Sequence, residues 1–286
     1  MEAKEINQDG LQGIDFNIPA KPEILLELEL EQCKKYPSMS GIAEVIVKDV
    51  ALAGSVIKIV NSAAYGQKRH ISNIKTAVNM LGIDSILRLV GFFQLRKVLI
   101  AKASISLEKF WDTSMQTANM MAITHSYFNK TEHCSREDAY SFGLFRDCGI
   151  PLMAIKYDNY KTVLMEANSS PQRKFTDIEE SYFPTNHAIV GYFIANTWQL
   201  PKFLPELILR HHEQNFTHDK DVTYAQKALY ALSKIASNAL SKHKYNHDDC
   251  EWLLGKEAAL GFFQMSDLDY QELEADLIDA YCVLYG

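Results

Sequence analysis

Residues 56–66 read Val56-Ile57-Lys58-Ile59-Val60-Asn61-Ser62-Ala63-Ala64-Tyr65-Gly66, and the chain resumes as Ile71-Ser72-Asn73-Ile74 and Ala77-Val78-Asn79-Met80-Leu81-Gly82. Val56, Ile59 and Val60 recur at the spacing of one helical face. Gly66 breaks that helix. Ser72 is the candidate N-cap of a short second helix with Ile74, Val78 and Leu81 on its apolar side. Gly82 suits the left-handed position that ends a helix, and Asp84 is the candidate cap of the next, which runs to about Ala101. A helix, a stop, a loop and a capped restart in so short a span point to a helical fold.

The same pattern extends both ways. Residues 1 to 17 read as a loose arm. Ile18-Pro19-Ala20-Lys21-Pro22 then imposes an extended lead-in, because each proline fixes its own φ and restrains the residue before it. A helix follows with Ile24, Leu25, Leu28 and Cys33 on one face, ended by Pro37. The next two run about Met39 to Val47 and Leu52 to Ser62. Downstream, helices are expected over about Leu107 to Phe128 and Ser135 to Tyr157, the latter bent near Gly149-Ile150-Pro151. Further helices run from Asp177 to before Pro184, from Pro184 to Trp198 and from Leu200-Pro201 to about His212. Phe216 to Asp221 reads as a polar loop, and helices about Thr223 to Lys242, Cys250 to Gly255 and Asp267 to Leu284 follow. No convincing period-two strand or Asn-Gly hairpin is present. The fold class is therefore all-α, a multi-helical bundle with no significant β-sheet.

Of the 286 residues, 47% are hydrophobic, enough for a sizeable core. The formal net charge of -7 disfavours broad attachment to nucleic acid or to an anionic membrane. Arg88, Arg96, Lys97 and Lys102 share one stretch but read as the solvated face of a helix, since stacking aromatics are sparse among them. Cys33, Cys134, Cys148, Cys250 and Cys282 are widely spaced and form no CxxC pair, as expected of reduced thiols in a cytoplasmic protein. Met1 to Gly13 has no apolar signal core. The run Ile83 to Ala101 is interrupted by Asp84, Arg88, Gln94, Arg96 and Lys97, and reads as an amphipathic helix rather than a membrane span. No GxSxG elbow, Walker A loop, GxGxxG, HExxH or EF-hand loop is found.

Two ordered blocks resemble the HDOD family. The first is the opening stretch, whose Asn61, Ser62, Tyr65, Gly66, Leu81 and Gly82 are similar to the family signature. The second is Gly143-Leu144-Phe145-Arg146-Asp147-Cys148-Gly149, which resembles the GLLHDIG segment of HD phosphohydrolases. It is followed by His187-Ala188-Ile189-Val190-Gly191, Trp198-Gln199-Leu200-Pro201 and Leu209-Arg210-His211-His212-Glu213, with Phe110-Trp111-Asp112-Thr113-Ser114 upstream. The resemblance implies an HDOD domain over 18–215, with an N-terminal helical part to about 105 and an HD-like core over about 106–215. Residues 216–286 are then C-terminal helices packing on the same domain. It also implies a role in bacterial signal transduction.

An active HD enzyme gathers imidazoles and carboxylates around metals that activate water and polarise a phosphoryl oxygen. The resemblance places the first ligand histidine at Thr113 and the histidine of the HD pair at Arg146, so both are missing. Asp147, His187, His211 and His212 remain, and the family's terminal aspartate would fall near Asn238. A guanidinium has no lone pair for a metal. Arg146 is therefore expected to pair with Asp147 and take over some of the metal's charge; a surface or capping arginine is the plainer reading. His211 and His212 are neighbours on a helix, so their side chains diverge by about 100° and one is expected inward, the other toward solvent. His187 reads as a hydrogen-bonded buried residue in preference to a ligand. The remnant pocket of Thr113, Arg146, Asp147, His187, His211 and His212 is thus expected to bind and not to catalyse, with no cofactor. Output would pass through a protein partner, a small signalling ligand or self-association, with no nucleic acid and no membrane. The alternative is a metal-dependent phosphohydrolase acting on a nucleotide or cyclic dinucleotide, the one reading that calls for a divalent metal. The surface around Asn61, Tyr65 and Gly66 is either a functional contact or a capped turn.

Overall fold

The computed structural model describes residues 16–62, 70–128 and 134–285. Among them every regular element is helical. Three short helices, α1 (Glu23–Gln32), α2 (Met39–Val47) and α3 (Val50–Val60), pack on α4 (Ile74–Val98). Side chains set their starts: Ser38 Oγ accepts from Gly41 N and Asp49 Oδ1 from Leu52 N. The cap of α4 is Asn73 and not Ser72, its Oδ1 accepting from Thr76 N at 2.8 Å. Gly82, at φ 77° and ψ 165°, is non-helical, so α4 is two helical segments meeting at a kink, as the sequence suggests. Asp84 accepts from Gln32 Nε2. Cys33 lies exposed, because α1 ends one residue before it and the helical spacing stops there.

Asn61 closes the loop after α3. Its Nδ2 donates to Ile57 O and Ile71 O, and its Oδ1 accepts from Ile71 N at 2.7 Å. The signature asparagine is thus a turn-closing residue, and Leu81 packs against the core. Tyr65 and Gly66 lie outside the described residues, as does most of the N-terminal arm. Phe16, at the end of that arm, packs edge-on against Tyr157.

The rest of the chain comprises α5 (Leu107–Ser126), α6 (Arg136–Phe145), α7 (Ile150–Lys156), α8 (Tyr160–Ala167), α9 (Phe175–Tyr182), α10 (His187–Thr197), α11 (Phe203–Arg210), α12 (Tyr224–Tyr245), α13 (Trp252–Phe263) and α14 (Asp267–Tyr285). The single helix expected over 135–157 is two, α6 and α7, separated by residues 146–149. The helix α8 has no counterpart in the sequence reading. The start of α10 is set by Asn186 as cap and not by Pro184. The expected polar loop at 216–221 contains a 3-10 turn, Phe216–His218, with Phe216 buried and stacked on Tyr230. The core runs through α5, α6 and α12, which pack on one another. Arg88, expected in solvent, is only 7% exposed; it reaches Asp138 and Ser85, because the second half of α4 packs on α6. By length and composition α4 could cross a membrane, but half of its apolar window is buried inside this fold.

Candidate functional site

The break between α6 and α7 is what builds the site. Gly149 lies against the first turn of α10, where a Cβ would stand 2.0 Å from His187 O and 2.7 Å from Gly191 N. Only glycine permits that approach, and it brings Asp147 beside His187, the first residue of α10. The neighbouring α11 ends at Arg210, and His211 and His212 follow it. Both rings face the cluster, with centroids 3.9 Å apart and side chains only 3% and 9% exposed, so neither turns to solvent as expected.

One ligand atom from each of Asp147, His187, His211 and His212 lies within 4.8 Å of the others. Asp147 Oδ1 is 3.3 Å from His211 Nε2 and 3.7 Å from His187 Nε2. His187 Nε2 is 3.0 Å from His212 Nε2. On their far sides the rings are all engaged: His187 Nδ1 with Glu179 Oε2 at 2.7 Å, His211 Nδ1 with Ile208 O at 2.7 Å, and His212 Nδ1 with Glu251 Oε2 at 2.6 Å. A backbone carbonyl only accepts. Glu179 is committed as an acceptor by Tyr160 Oη and His187 N, and Glu251 by Lys234 Nζ and Phe175 N. Each Nδ1 therefore carries a proton, and each ring turns its Nε2 to the centre, where a neutral ring presents a lone pair. His211 Nε2 is buried without a hydrogen-bond partner among the described residues. The short contact between His187 and His212 requires one positive charge between the two nitrogens, a proton or a metal cation. Three imidazole nitrogens and one carboxylate oxygen are a donor set that suits a transition metal such as zinc.

The electrostatics agree. Burial pushes His211 down to about 4 and His212 down to about 3, holding both neutral at pH 7. Burial also opposes a charge on His187, but the Glu179 carboxylate outweighs it and raises that pKa. For Asp147 the burial cost is overcome by Arg146 together with His211 and His187, which keep the carboxyl well below the usual range.

Arg146 donates from Nε and Nη2 to Asp147 Oδ2, at 3.1 and 2.9 Å, and from Nη1 to Ser237 Oγ at 2.6 Å. The expected pairing with Asp147 is present. A cavity of about 590 Å³ holds the cluster, with Thr113, Lys109, Lys244 and Phe110 also on its walls. Asn238 is not on those walls. It is a fully buried clamp, donating to Tyr270 Oη and Glu274 Oε1 and accepting from Asp249 N. Sequence reasoning missed Glu179, Lys234, Ser237 and Glu251. Glu179-Glu180 upstream of His187 is a carboxylate pair near a histidine that could have been noticed. Glu251 reads in sequence as one more acid at a helix start, and nothing marks it.

The fold and the cluster together define a helical domain with a buried cluster of three histidines and one aspartate. The HDOD domain family model matches residues 18–214, and the chain belongs to the HDOD family. A curated relative from Treponema pallidum, an uncharacterized protein, is 23% identical over 197 residues; the match covers 68% of this chain and 38% of that protein's length. Among solved structures, an HDOD domain protein of unknown function from Geobacter sulfurreducens aligns with a TM-score of 0.63 at 22% identity, over 96% of this chain and 93% of that one. A protein from Shewanella amazonensis SB2B, provisionally named a metal-dependent phosphohydrolase, aligns with a TM-score of 0.64 at 17% identity, over 96% and 95%. At these identities the likeness is one of fold.

Proposed function

We propose that this chain is a regulatory HDOD module of bacterial signal transduction that binds at its HD-type site and does not hydrolyse. The carrying observation is Arg146. Its guanidinium occupies Asp147 Oδ2 with two donors and fixes a permanent cation there. A second metal on that side of Asp147 would meet this charge, so a two-metal clamp on a phosphoryl group has no place to form. Although the sequence reading expects no cofactor for a non-hydrolysing domain, the remaining ligands, Asp147 Oδ1 and the Nε2 atoms of His187, His211 and His212, would hold one divalent cation. Four protein ligands are the complement of closed structural zinc sites, whereas catalytic sites keep an open position. Such a cation would supply charge and rigidity. The rest of the cavity would take a small signalling ligand, and the output would reach a protein partner. Five free cysteines support a reducing, cytoplasmic setting for the same reading.

The test is metal content by elemental analysis after loading with zinc or manganese, with hydrolysis of nucleotides and cyclic dinucleotides assayed on the same samples. About one equivalent of metal and no metal-stimulated turnover is the expected result. Two equivalents, or turnover that follows metal loading, would establish the phosphohydrolase alternative instead.

A further inference from the structure

The four cluster residues all lie within the family match, but part of what orients them comes from beyond it. Glu251, just before α13, is 8% exposed. Its Oε2 accepts from His212 Nδ1 at 2.6 Å and from Lys234 Nζ at 3.1 Å, and its Oε1 accepts from Phe175 N at 3.0 Å. Lys234, also 8% exposed, shares that one carboxylate oxygen with the imidazole.

We infer that Glu251 is a positioning residue for the cluster and that Lys234 opposes it. Glu251 fixes His212 in the Nδ1–H tautomer, which turns the Nε2 lone pair toward Asp147, His187 and His211. A carboxylate behind an imidazole also raises its basicity toward a cation. Lys234 draws on the same oxygen and so weakens that effect, while placing a positive charge near any bound cation. Removing Glu251's charge should therefore loosen cation binding, and removing Lys234's charge should tighten it. The affinity arm rests on the one-cation reading proposed above; the tautomer arm stands without it.

The experiment uses the full chain, as wild type, E251Q, E251D and K234M. Zinc affinity is measured by competition with a chromophoric chelator, and the tautomer of His212 by long-range proton–nitrogen NMR on histidine-labelled protein. Thermal melts confirm that each variant is folded. E251Q is expected to weaken zinc binding by about 10- to 100-fold and to lose the fixed Nδ1–H state, with E251D recovering part of both. K234M is expected to tighten binding by at least about threefold, the order given by removing one unit charge near a divalent cation even when that charge is screened as in water. Damage to packing alone would weaken both variants. Weaker binding in K234M, or E251Q within twofold of wild type, would overturn the inference. If wild type binds no zinc, the one-cation reading fails and the tautomer decides: Nδ1–H in wild type and its loss in E251Q would uphold Glu251's role, and an unchanged tautomer would overturn it.

Discussion

Replacing Arg146 by methionine is the sharpest probe of how this site is held together. The side chain donates three hydrogen bonds, two to Asp147 Oδ2 and one to Ser237 Oγ. Methionine keeps much of the packing and removes all three. Breaking a buried ion pair by deleting one partner costs about 3–5 kcal/mol, because the remaining charge is left uncompensated. Asp147 keeps 25% of its side chain exposed, so water recovers part of that loss and the expected cost is about 3 kcal/mol, at the low end of the range. For a domain of this size, that corresponds to a fall in Tm of about 6–12 °C. Calorimetry or a dye-based melt reads it directly. The R146M/D147N pair closes a double-mutant cycle, in which D147N should absorb most of the cost of R146M. Zinc should restore more of the Tm in R146M than it adds to wild type, because Asp147 then has no cation competing for it. A Tm within about 1 °C of wild type would refute the reasoning, as would an undiminished cost in the D147N background.

Acid should destabilise the protein between about pH 6.5 and 4. His211 and His212 are kept neutral, at about 4 and about 3, by burial. The unfolded chain protonates both near 6.5, so their stability is intact above that value and is lost as pH falls. Between pH 7 and 5 the loss is about 2 kcal/mol for each ring. The raised pKa of His187 acts in the opposite sense, contributing below about 6.5 and fading as pH rises through its folded value, so it offsets part of the fall. Urea midpoints across this range are the measurement, and a flat profile would contradict the assignment of protons. At Gly149 a methyl group would meet backbone atoms at 2.0 and 2.7 Å, with no flexible side chain to yield. G149A should therefore cost about 3 kcal/mol or more and abolish stoichiometric zinc binding; retention of both stability and binding would mean that the α6–α7 turn does not position Asp147 as described.

How much of this could be read from the sequence depended on the range of the forces involved. Helices whose starts rest on a local cap were legible: the expected span of α2 coincides with the observed one, and Ser38 supplies its cap. Where two caps stood side by side, Ser72 and Asn73, the backbone chose the asparagine. The division of residues 135–157 was harder, because α6 and α7 are separated by a turn whose necessity lies elsewhere, in the approach of Gly149 to α10. Arg88 was misread for the same reason. Its charge suggested solvent, and only the packing of α4 on α6 supplies the aspartate that makes burial tolerable.

The site divides along the same line. The residues meeting at its centre were named from motifs, since Asp147, His187, His211 and His212 each sit in a recognisable local string. Their orientation was not legible, because it is set by Glu179, Ile208 and Glu251, of which Glu251 lies past the end of the family match. The pairing of His211 and His212 shows the consequence. A helical wheel assigns them to different directions, but the helix ends at Arg210 and hydrogen bonds from two different elements then aim both rings at one point. A histidine in a motif string therefore says little about metal binding until the acceptor behind it is known. In this chain all three rings have one, and Asp147 Oδ2 is held by Arg146. Under the reading proposed above, an arginine beside Asp147 and a cation at the histidines would be compatible, because Arg146 engages Oδ2 while the imidazoles face Oδ1.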